Sequence, residues 1–427
     1  MKICLISNLY PPISRGGAEK VAERVAQGLK SAVGPHTKNF GEGTCHEVFV
    51  ISTKPWDGWK SFKPAAAEEN GIKVYRFYPA NIFYYLNNFK HNALWRAKWH
   101  FWDMFNCQSA RVVKKILKKE KPDFVLTHNL MGIGFLIPRA IRKLKIKHIH
   151  TLHDVQLAVP SGLIISGQEK NWEQKTWLRK IYEAICRRLF NSPEVVVSPS
   201  KWLLDFYAAK GFFKKSKKIV LPNPVGKNAT KVAMKFQTDF SQVDFDATKV
   251  AMKLLYLGQI EEHKGILFLV NVLKNLDVNF QLHIAGDGVA MEKLKEIINN
   301  DEQFIIYGRL TAEEAVKIFN LVDLTVVPSL CYENSPSVIY ESLAVGVPVL
   351  AAKIGGVAEL VHDGENGFTF EAGNAEDLTR ALKHAAASRD ELQKMRLRAA
   401  GSVEDFKIEN YIQRLLTNIS PPSMGGD

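Results

Sequence analysis

The chain has 427 residues, more than one ordinary hydrophobic core accommodates, so its length predicts two domains. Hydrophobic residues make up 46% of the chain, a share that fills two cores and excludes widespread disorder. The net charge of +13 is uneven: residues 1–225 carry 37 Lys and Arg against 16 Asp and Glu, and the remainder carries 20 against 28. This asymmetry indicates an anionic partner for the N-terminal half, with ordinary surface charge as the alternative.

In the N-terminal half, short β-branched runs alternate with helical stretches, which predicts a parallel sheet built from β-α-β units. The clearest helix spans residues 17–30, where Val21, Val25 and Leu29 recur on one face. The predicted strands of this half are residues 2–8, 47–52, 72–77, 123–127, 147–152, 194–198 and 218–221.

Two stretches interrupt this rhythm. Residues 34–45 are polar and glycine-rich, which predicts a surface loop. Residues 78–105 interleave Phe, Tyr and Trp with Lys90, Arg96 and Lys98. Their composition fits a buried helix pair and equally a segment resting on an anionic membrane surface.

Weakly patterned sequence over residues 222–250 predicts a linker. We therefore divide the chain into domains over 1–225 and 226–404, and a C-terminal helix and tail over 405–427 with a return to the first domain left open. The predicted strands of the second domain are residues 253–257, 279–285, 303–307, 323–327 and 347–351. Its predicted helices start near 265 and cover 289–299, 311–320, 336–345 and the region 375–400.

Ligands of open parallel sheets bind beyond the carboxyl ends of the strands, so the loops there are candidate sites. Gly16-Gly17 opens the first helix and is suited to a phosphate, although a tight turn explains it equally well. Lys264, beside Gly265 at a helix start, can place an ammonium on a phosphate, but a solvated lysine is an equal alternative.

The strongest pattern follows the strand that ends at Val327. Ser335 is the predicted N-cap and Pro336 suits the first helical turn, so Glu333 precedes the helix and Glu341 lies within it. Two carboxylates around a helix start can accept bonds from the sugar and ribose hydroxyls of a sugar nucleotide, while the helix start receives its phosphates. Ordinary helix-terminal charge explains either carboxylate singly.

The sequence from Glu333 to Glu341 resembles the E-x7-E signature of the retaining family 4 glycosyltransferases. Further similar segments follow in the family's order over nearly the whole chain. They are Pro11-Pro12, Gly16-Gly17-Ala18-Glu19, Pro122-Asp123, His128-Asn129, His153-Asp154, Ser198-Pro199-Ser200, Leu221-Pro222-Asn223-Pro224, residues 344–349, residues 355–361 and residues 364–367. The resemblance implies an α/β protein of GT-B fold, with two Rossmann-like domains whose parallel sheets face a central cleft.

The resemblance also implies an activity. It implies a hexosyltransferase that moves a sugar, with retention, from a nucleotide-diphosphate sugar to a hydroxyl of a glycan or lipid-linked acceptor in cell-surface polysaccharide or glycolipid synthesis. The implied catalytic residues are Glu333, Lys264 and His153, and for His153 a core histidine after a strand is the alternative. The implied donor contacts are Gly16, Gly17, Gln259, Lys264, Arg309, Glu333, Ser337, Val338 and Glu341, and the implied acceptor contacts are His128, Asn129 and Asp154.

Some features depart from the family's pattern or are better declined. Gln259 stands where the family usually has an arginine, which leaves donor affinity and donor type open. The D-x-D motif Asp244-Phe245-Asp246 lies near the linker, away from the strand-end sites, and we regard it as chance. No Cys or His spacing is typical of a metal site, so we expect neither a metal nor a cofactor besides the donor.

We expect the nucleotide sugar, the acceptor and an anionic membrane surface as partners, and no nucleic acid. Neither a membrane span nor a disulfide framework is indicated, so we expect a cytoplasmic protein, with peripheral attachment to the inner face of the membrane. Two alternatives stay open. A sugar-nucleotide epimerase of the same fold would not need Glu333, Glu341 and Lys264 together, and a non-catalytic basic binding protein has Gln259 as its one hint.

Overall fold

The computed structural model describes residues 1–32, 46–169, 176–225 and 252–419. The loop predicted over 34–45, most of the predicted linker and Asp244-Phe245-Asp246 lie outside these residues. The chain divides into two compact units. The first comprises Met1–Leu163, Asn171–Pro224 and Ile408–Asp427, and the second comprises Ile164–Lys170 and Val225–Lys407.

The first unit contains an eight-stranded sheet in the order β3-β4-β2-β1-β5-β6-β7-β8, parallel except for the β3–β4 pair. Its strands are Lys2–Ile6 (β1), Glu47–Thr53 (β2), Ala65–Glu69 (β3), Ile72–Phe77 (β4), Phe124–Thr127 (β5), Lys147–Thr151 (β6), Val195–Ser198 (β7) and Lys217–Val220 (β8). Its described α-helices before residue 225 are Gly17–Ser31 (α1), Ala93–Met104 (α2), Cys107–Glu120 (α3), Ile137–Lys143 (α4), Trp177–Phe190 (α5) and Lys201–Ala209 (α6).

The amphipathic helix predicted over 17–30 is confirmed as α1. Its Val21, Val25 and Leu29 are buried against the sheet, in one cluster with Ile3 and Leu5 of β1. Strand β3 was missed, because its alanine-rich sequence lacks apolar alternation. The Asn70-Gly71 turn that joins it to β4, with both residues at positive φ, is the signal that predicts such a hairpin.

The second unit contains a six-stranded parallel sheet in the order β11-β10-β9-β12-β13-β14. Its strands are Met252–Leu257 (β9), Phe280–Ala285 (β10), Phe304–Gly308 (β11), Leu324–Val327 (β12), Val349–Ala352 (β13) and Gly367–Phe370 (β14). Its helices are Ile266–Leu273 (α7), Met291–Ile298 (α8), Ala312–Phe319 (α9), Ser337–Ala344 (α10), Ala375–Ala387 (α11) and Arg389–Ser402 (α12). Strand β14 was missed, because it is short and follows a turn.

The last described helix, Ile408–Ile419 (α13), packs in the first unit against α1. The contact needs a residue without a side chain at Gly28. A Cβ there would lie 2.7 Å from Ile408 Cγ1 and 2.9 Å from Ile412 Cγ1. The buried face of α13 also includes Tyr411 and Leu415, so the C-terminal end of the chain completes the core formed by its N-terminal end.

The strand orders place the candidate loops side by side. In the first sheet, β1, β5 and β6 are neighbours, so the loops that carry Gly16, His128 and His153 begin at one edge. In the second sheet, β9 lies between β10 and β12. The carboxyl ends of these strands are the places where open α/β sheets bind ligands, and each unit therefore presents one candidate site.

Candidate functional site

An ion pair forms the centre of the candidate site in the second unit. Lys264 Nζ lies 2.6 Å from Glu333 Oε1, and the Ser329 hydroxyl donates to the same oxygen at 3.0 Å. Both charged side chains are partly covered, with 26% of Lys264 and 15% of Glu333 exposed. The structure thus brings together two residues that are 69 positions apart in the sequence.

The protonation states of the pair support each other. Burial alone raises the pKa of Glu333, but the Lys264 ammonium and the Ser329 hydroxyl outweigh it, and the net pKa is lower than usual. Burial likewise lowers the pKa of Lys264, and the Glu333 carboxylate reverses this to a net increase. Near neutral pH the site therefore contains a carboxylate and an ammonium.

Glycines fix the backbone around this pair. A Cβ on Gly265 would lie 1.8 Å from the Pro328 carbonyl oxygen, and a Cβ on Gly355 would lie 2.2 Å from that of Glu333. Both glycines have positive φ, and the Gly356 amide donates to the Glu333 carbonyl at 2.8 Å. The Gly355-Gly356 pair therefore holds the segment that carries Glu333, which is a structural reason for glycines at these positions.

Helix α10 begins beside Glu333, but one detail of the prediction is wrong. The N-cap is Pro336 rather than Ser335, whose hydroxyl instead lies 2.5 Å from the Tyr340 hydroxyl. Ser337 and Val338 occupy the first turn, where backbone N–H groups have no acceptor within the helix. Glu341 lies half-buried in the same helix, so the order of carboxylate, helix start and carboxylate is present.

The other predicted donor residues occupy the adjoining loops. Gln259 follows β9, and its carbonyl accepts from the Tyr256 hydroxyl at 2.6 Å. Arg309 is exposed directly after β11. The Gly286 amide donates to the Gly308 carbonyl at 2.7 Å, so the loops after β10 and β11 are joined at this edge of the sheet.

A segment that the sequence did not point to also contacts the Glu333 loop. Residues 164–169, which we call the strap, form an antiparallel bridge through Ile165 with Cys331. The Ser166 amide donates to the Leu330 carbonyl and the Tyr332 amide to the Ile164 carbonyl, both at 2.8 Å. Backbone pairing of this kind carries no side-chain signature, which explains why it was missed.

In the first unit, Gly16 and Gly17 lie at the start of α1, as predicted. Gly16 is the N-cap, and its amide donates to Glu19 Oε2 at 2.9 Å. The Glu19 carboxylate therefore already satisfies one of the two amides assigned to a phosphate. Glutamate at the third helical position is a known capping signal, and it could have been read from the sequence.

The predicted acceptor residues lie after β5 and β6. His128 Nδ1 is 2.8 Å from His153 Nε2, and the His128 side chain is fully buried. Burial lowers the pKa of His153 to about 4 and that of His128 well below its usual value, so both rings are neutral at physiological pH. Asp154 Oδ1 accepts from the Gln156 amide, and Asn129 Oδ1 from the Met131 amide.

Two further histidines extend this cluster. The Thr127 hydroxyl lies 2.8 Å from both His148 Nε2 and His150 Nδ1. The two histidines alternate along β6, so they share one face of the sheet, and this spacing was visible in the sequence. A cavity of about 20 Å³, enough for about one water molecule, is lined by His128, His150 and His153 among others.

Three features are absent from the described residues. No group of three or more His, Cys, Asp or Glu in this part of the chain is arranged to hold a metal ion. None of the described helices is long and apolar enough to cross a membrane. The described cysteines Cys4, Cys107, Cys186 and Cys331 are all free thiols.

The two parallel-sheet units define the class of protein. Sucrose-phosphate synthase from Thermosynechococcus elongatus superposes with a TM-score of 0.70 over 97% of both chains at 17% identity. The Anabaena protein HepE, solved in complex with UDP, superposes with a TM-score of 0.66 over 98% of this chain and 99% of that one, again at 17% identity. The fold is GT-B.

Sequence comparisons give the same class. The model described as Glycosyltransferase Family 4 matches residues 15–227, and the model described as Glycosyl transferases group 1 matches residues 240–401. A 42.6 kDa protein of the Klebsiella pneumoniae cps region is 26% identical over 84% of this chain and 87% of its own. Lipopolysaccharide 1,2-N-acetylglucosaminetransferase of Salmonella typhimurium is 25% identical over 65% of this chain and 76% of its own. The chain belongs to the GT-B glycosyltransferases and is a transferase enzyme.

Proposed function

We propose that the protein is a retaining glycosyltransferase of family 4. It transfers a sugar from a nucleotide-diphosphate sugar to a hydroxyl of a glycan or lipid-linked acceptor in the synthesis of a cell-surface polysaccharide or glycolipid. The observation that carries the proposal is the Lys264–Glu333 pair in front of α10, with Glu341 inside that helix. The cps-region relative and the lipopolysaccharide transferase support the surface-polysaccharide context.

The donor is held by groups of the second unit. Glu341 accepts hydrogen bonds from the ribose hydroxyls, and Glu333 from hydroxyls of the transferred sugar. Lys264 has three ammonium hydrogens, so it can bond Glu333 and still donate to the diphosphate. The first-turn amides of Ser337 and Val338 supply further donors, and the nucleobase lies near Arg309.

The reaction breaks the bond between the anomeric carbon and the diphosphate oxygen. The acceptor oxygen forms the new bond on the same face, and its proton passes to the departing phosphate. Because negative charge grows on the diphosphate, the Lys264 ammonium and the start of α10 stabilise the transition state more than the ground state. Gln259 adds no charge, so this stabilisation depends strongly on Lys264.

The direct test is transfer from nucleotide sugars chosen by thermal shift, since a ligand bound to the folded state raises its melting temperature. NMR of the product then gives the anomeric configuration. We expect retention, and loss of transfer in Glu341→Ala but not in Glu296→Ala, an exposed glutamate on α8. Inversion would contradict the retaining assignment. An isomerised nucleotide sugar without transfer would support the epimerase, and a wild type that binds no nucleotide diphosphate would support the non-catalytic alternative.

We also propose that the first unit attaches to the anionic inner face of a membrane. Helix α2 buries Trp99 but exposes Leu94, Trp95, Phe101 and Trp102 by 47–65%. Lys98 Nζ lies 4.9 Å from the Trp95 ring centre, which places a cation beside the exposed aromatic rings. Exposed aromatics next to basic groups suit the headgroup region of an anionic bilayer.

Helix α5 offers a second exposed apolar group on the same unit. Its first turns expose Trp177, Leu178 and Ile181 by 46–68%, next to Lys180. Burial is the main cause of the raised pKa of Cys186 in α5, and the charge of Asp103 at the end of α2 raises it further, so these two residues lie near each other. The combined surface of the two helices is the one we propose contacts lipid, with each basic group near the surface adding about 1 kcal/mol.

Liposome sedimentation tests this attachment. The double variant Leu94→Ser/Phe101→Ser should lose most binding to vesicles of mixed anionic and zwitterionic lipid. The control Leu397→Ser removes an even more exposed apolar side chain from the second unit and should bind like wild type. If neither wild type nor the control binds the vesicles, the membrane proposal is overturned and a soluble acceptor is favoured.

A further inference from the structure

The His128–His153 pair assigns a role to a residue that was expected to touch the acceptor. The His128 side chain has no exposed surface, so an acceptor cannot reach it without rearrangement. Its Nδ1 contacts His153 Nε2 at 2.8 Å, and the two rings are stacked with their planes 27° apart. His128 Nε2 has no hydrogen-bond partner among the described residues. Within this part of the chain, the His128 ring therefore makes its polar contact through Nδ1, to His153.

A contact between two neutral imidazoles fixes where the protons lie. One nitrogen must donate and the other must accept, so the proton position on His128 determines the tautomer of His153. A buried N–H without a partner is less well tolerated than a buried acceptor without one. The unpartnered His128 Nε2 is therefore the acceptor, and Nδ1 carries the proton that is donated to His153 Nε2. His153 then carries its own proton on Nδ1.

We infer that His128 is a positioning residue, which orients the His153 ring and holds it as the Nδ1–H tautomer. This inference rests on the proposed function for its catalytic consequence, since His153 is a catalytic residue only by the family resemblance. An Nδ1–H group donates a hydrogen bond, whereas the opposite tautomer would accept one there. His128 thus determines which kind of hydrogen bond His153 makes from that nitrogen.

The neighbouring histidines supply a matched control. His148 is also buried on β6, but its Nε2 bonds the Thr127 hydroxyl rather than His153. Substitution of His148 removes a buried imidazole of the same sheet without touching the pair. An effect caused only by disturbance of the core should therefore appear in both variants.

The first arm of the experiment is kinetic. His128→Phe should lower kcat by about 10–100-fold, the usual cost of losing a group that orients a catalytic residue, with the acceptor KM within about twofold. His128→Asn places an amide near the Nδ1 position and should restore most of the rate. His148→Phe should keep kcat near wild type. A raised acceptor KM with unchanged kcat would overturn the inference and return His128 to acceptor binding.

The second arm does not depend on activity. Nitrogen-15 spectra of histidine-labelled protein report the tautomer of each ring. The His153 signals of wild type should show the proton on Nδ1, and His128→Phe, but not His148→Phe, should change that pattern. An unchanged His153 tautomer in His128→Phe would overturn the inference. If wild type transfers no sugar, the proposed function fails. The spectra then still test whether His128 determines the tautomer of His153.

Discussion

The two candidate sites are built from opposite electrostatics. In the second unit, a carboxylate and an ammonium contact each other on loops held by glycines. In the first unit, the neutral imidazoles of His128 and His153 contact each other, and His150 contacts the Thr127 hydroxyl. A charged site suits a ligand whose charge grows during reaction, and a neutral site suits the orientation of hydroxyl groups. The difference is the one expected if, as we propose, the second unit binds the donor.

The largest expected effect comes from removal of the charge on the donor side. Lys264→Ala should reduce turnover by about 10²–10³-fold, the usual cost of losing one preorganised donor to developing charge. The control Lys293→Ala removes an exposed lysine that is also paired with a glutamate in this unit. Equal turnover of both variants would show that Lys264 does not act in the donor site. Melting temperatures would show whether Lys264→Ala had unfolded.

The next effect concerns the backbone that carries Glu333. Gly355→Ala adds a Cβ within 2.2 Å of the Glu333 carbonyl oxygen at a φ of +61°. We expect a loss of stability greater than the ~1–2 kcal/mol of positive φ alone, and a fall in transfer. Gly364→Ala, at a φ of +76° with the Glu391 carboxylate 3.9 Å from its Cβ, measures the φ cost by itself. If both variants lose the same free energy of unfolding in urea, the Glu333 loop moves to accommodate the new side chain.

The neutral site predicts a characteristic pH dependence of stability. Burial, with a smaller effect of Arg142, lowers the pKa of His148 to about 3, from 6.5. Below pH 6.5 the unfolded chain takes up a proton that folded His148 does not, so stability falls as the pH drops, by up to ~1.4 kcal/mol per unit. Burial raises the pKa of Asp154 to about 7, which gives the opposite sign over the same window.

His148→Phe should therefore reduce the loss of unfolding free energy on acidification, as measured by urea titrations across that window. The comparison with wild type cancels the contribution of Asp154, which both proteins retain. A variant with the same slope as wild type would mean that His148 is protonated in the folded state. The Lys264–Glu333 pair should behave differently. Because the pKa of Glu333 is lowered, its carboxylate stays charged, and the pair keeps stabilising the fold, until more acidic pH.

The smallest expected effect belongs to the strap. Ser166→Pro removes the amide that donates to the Leu330 carbonyl, whereas Ser166→Ala keeps it. One hydrogen bond is worth about 1 kcal/mol, so we expect the donor KM to rise about fivefold in the proline variant alone. Equal KM values for both variants would show that the strap does not position the Glu333 loop.

The sequence predicted most of the parallel strands and the order of residues around α10, because β-branched runs and the E-x7-E spacing are local signals. It could not predict that Glu333 and Lys264 form an ion pair, since their contact depends on the adjacency of β9 and β12. The strap was also invisible, because backbone pairing leaves no side-chain pattern. The burial of His128 depends on tertiary packing, whereas its sequence suggested an accessible residue after a strand.

The position of the bound diphosphate is the central feature of the proposed mechanism. Hydrogen exchange measured with and without a nucleotide diphosphate tests this directly, because backbone amides that donate to phosphate become protected. We predict protection at the Ser337 and Val338 amides of α10, and its loss in Lys264→Ala. Protection confined to other segments, or equal protection in wild type and Lys264→Ala, would contradict the assignment of the donor site.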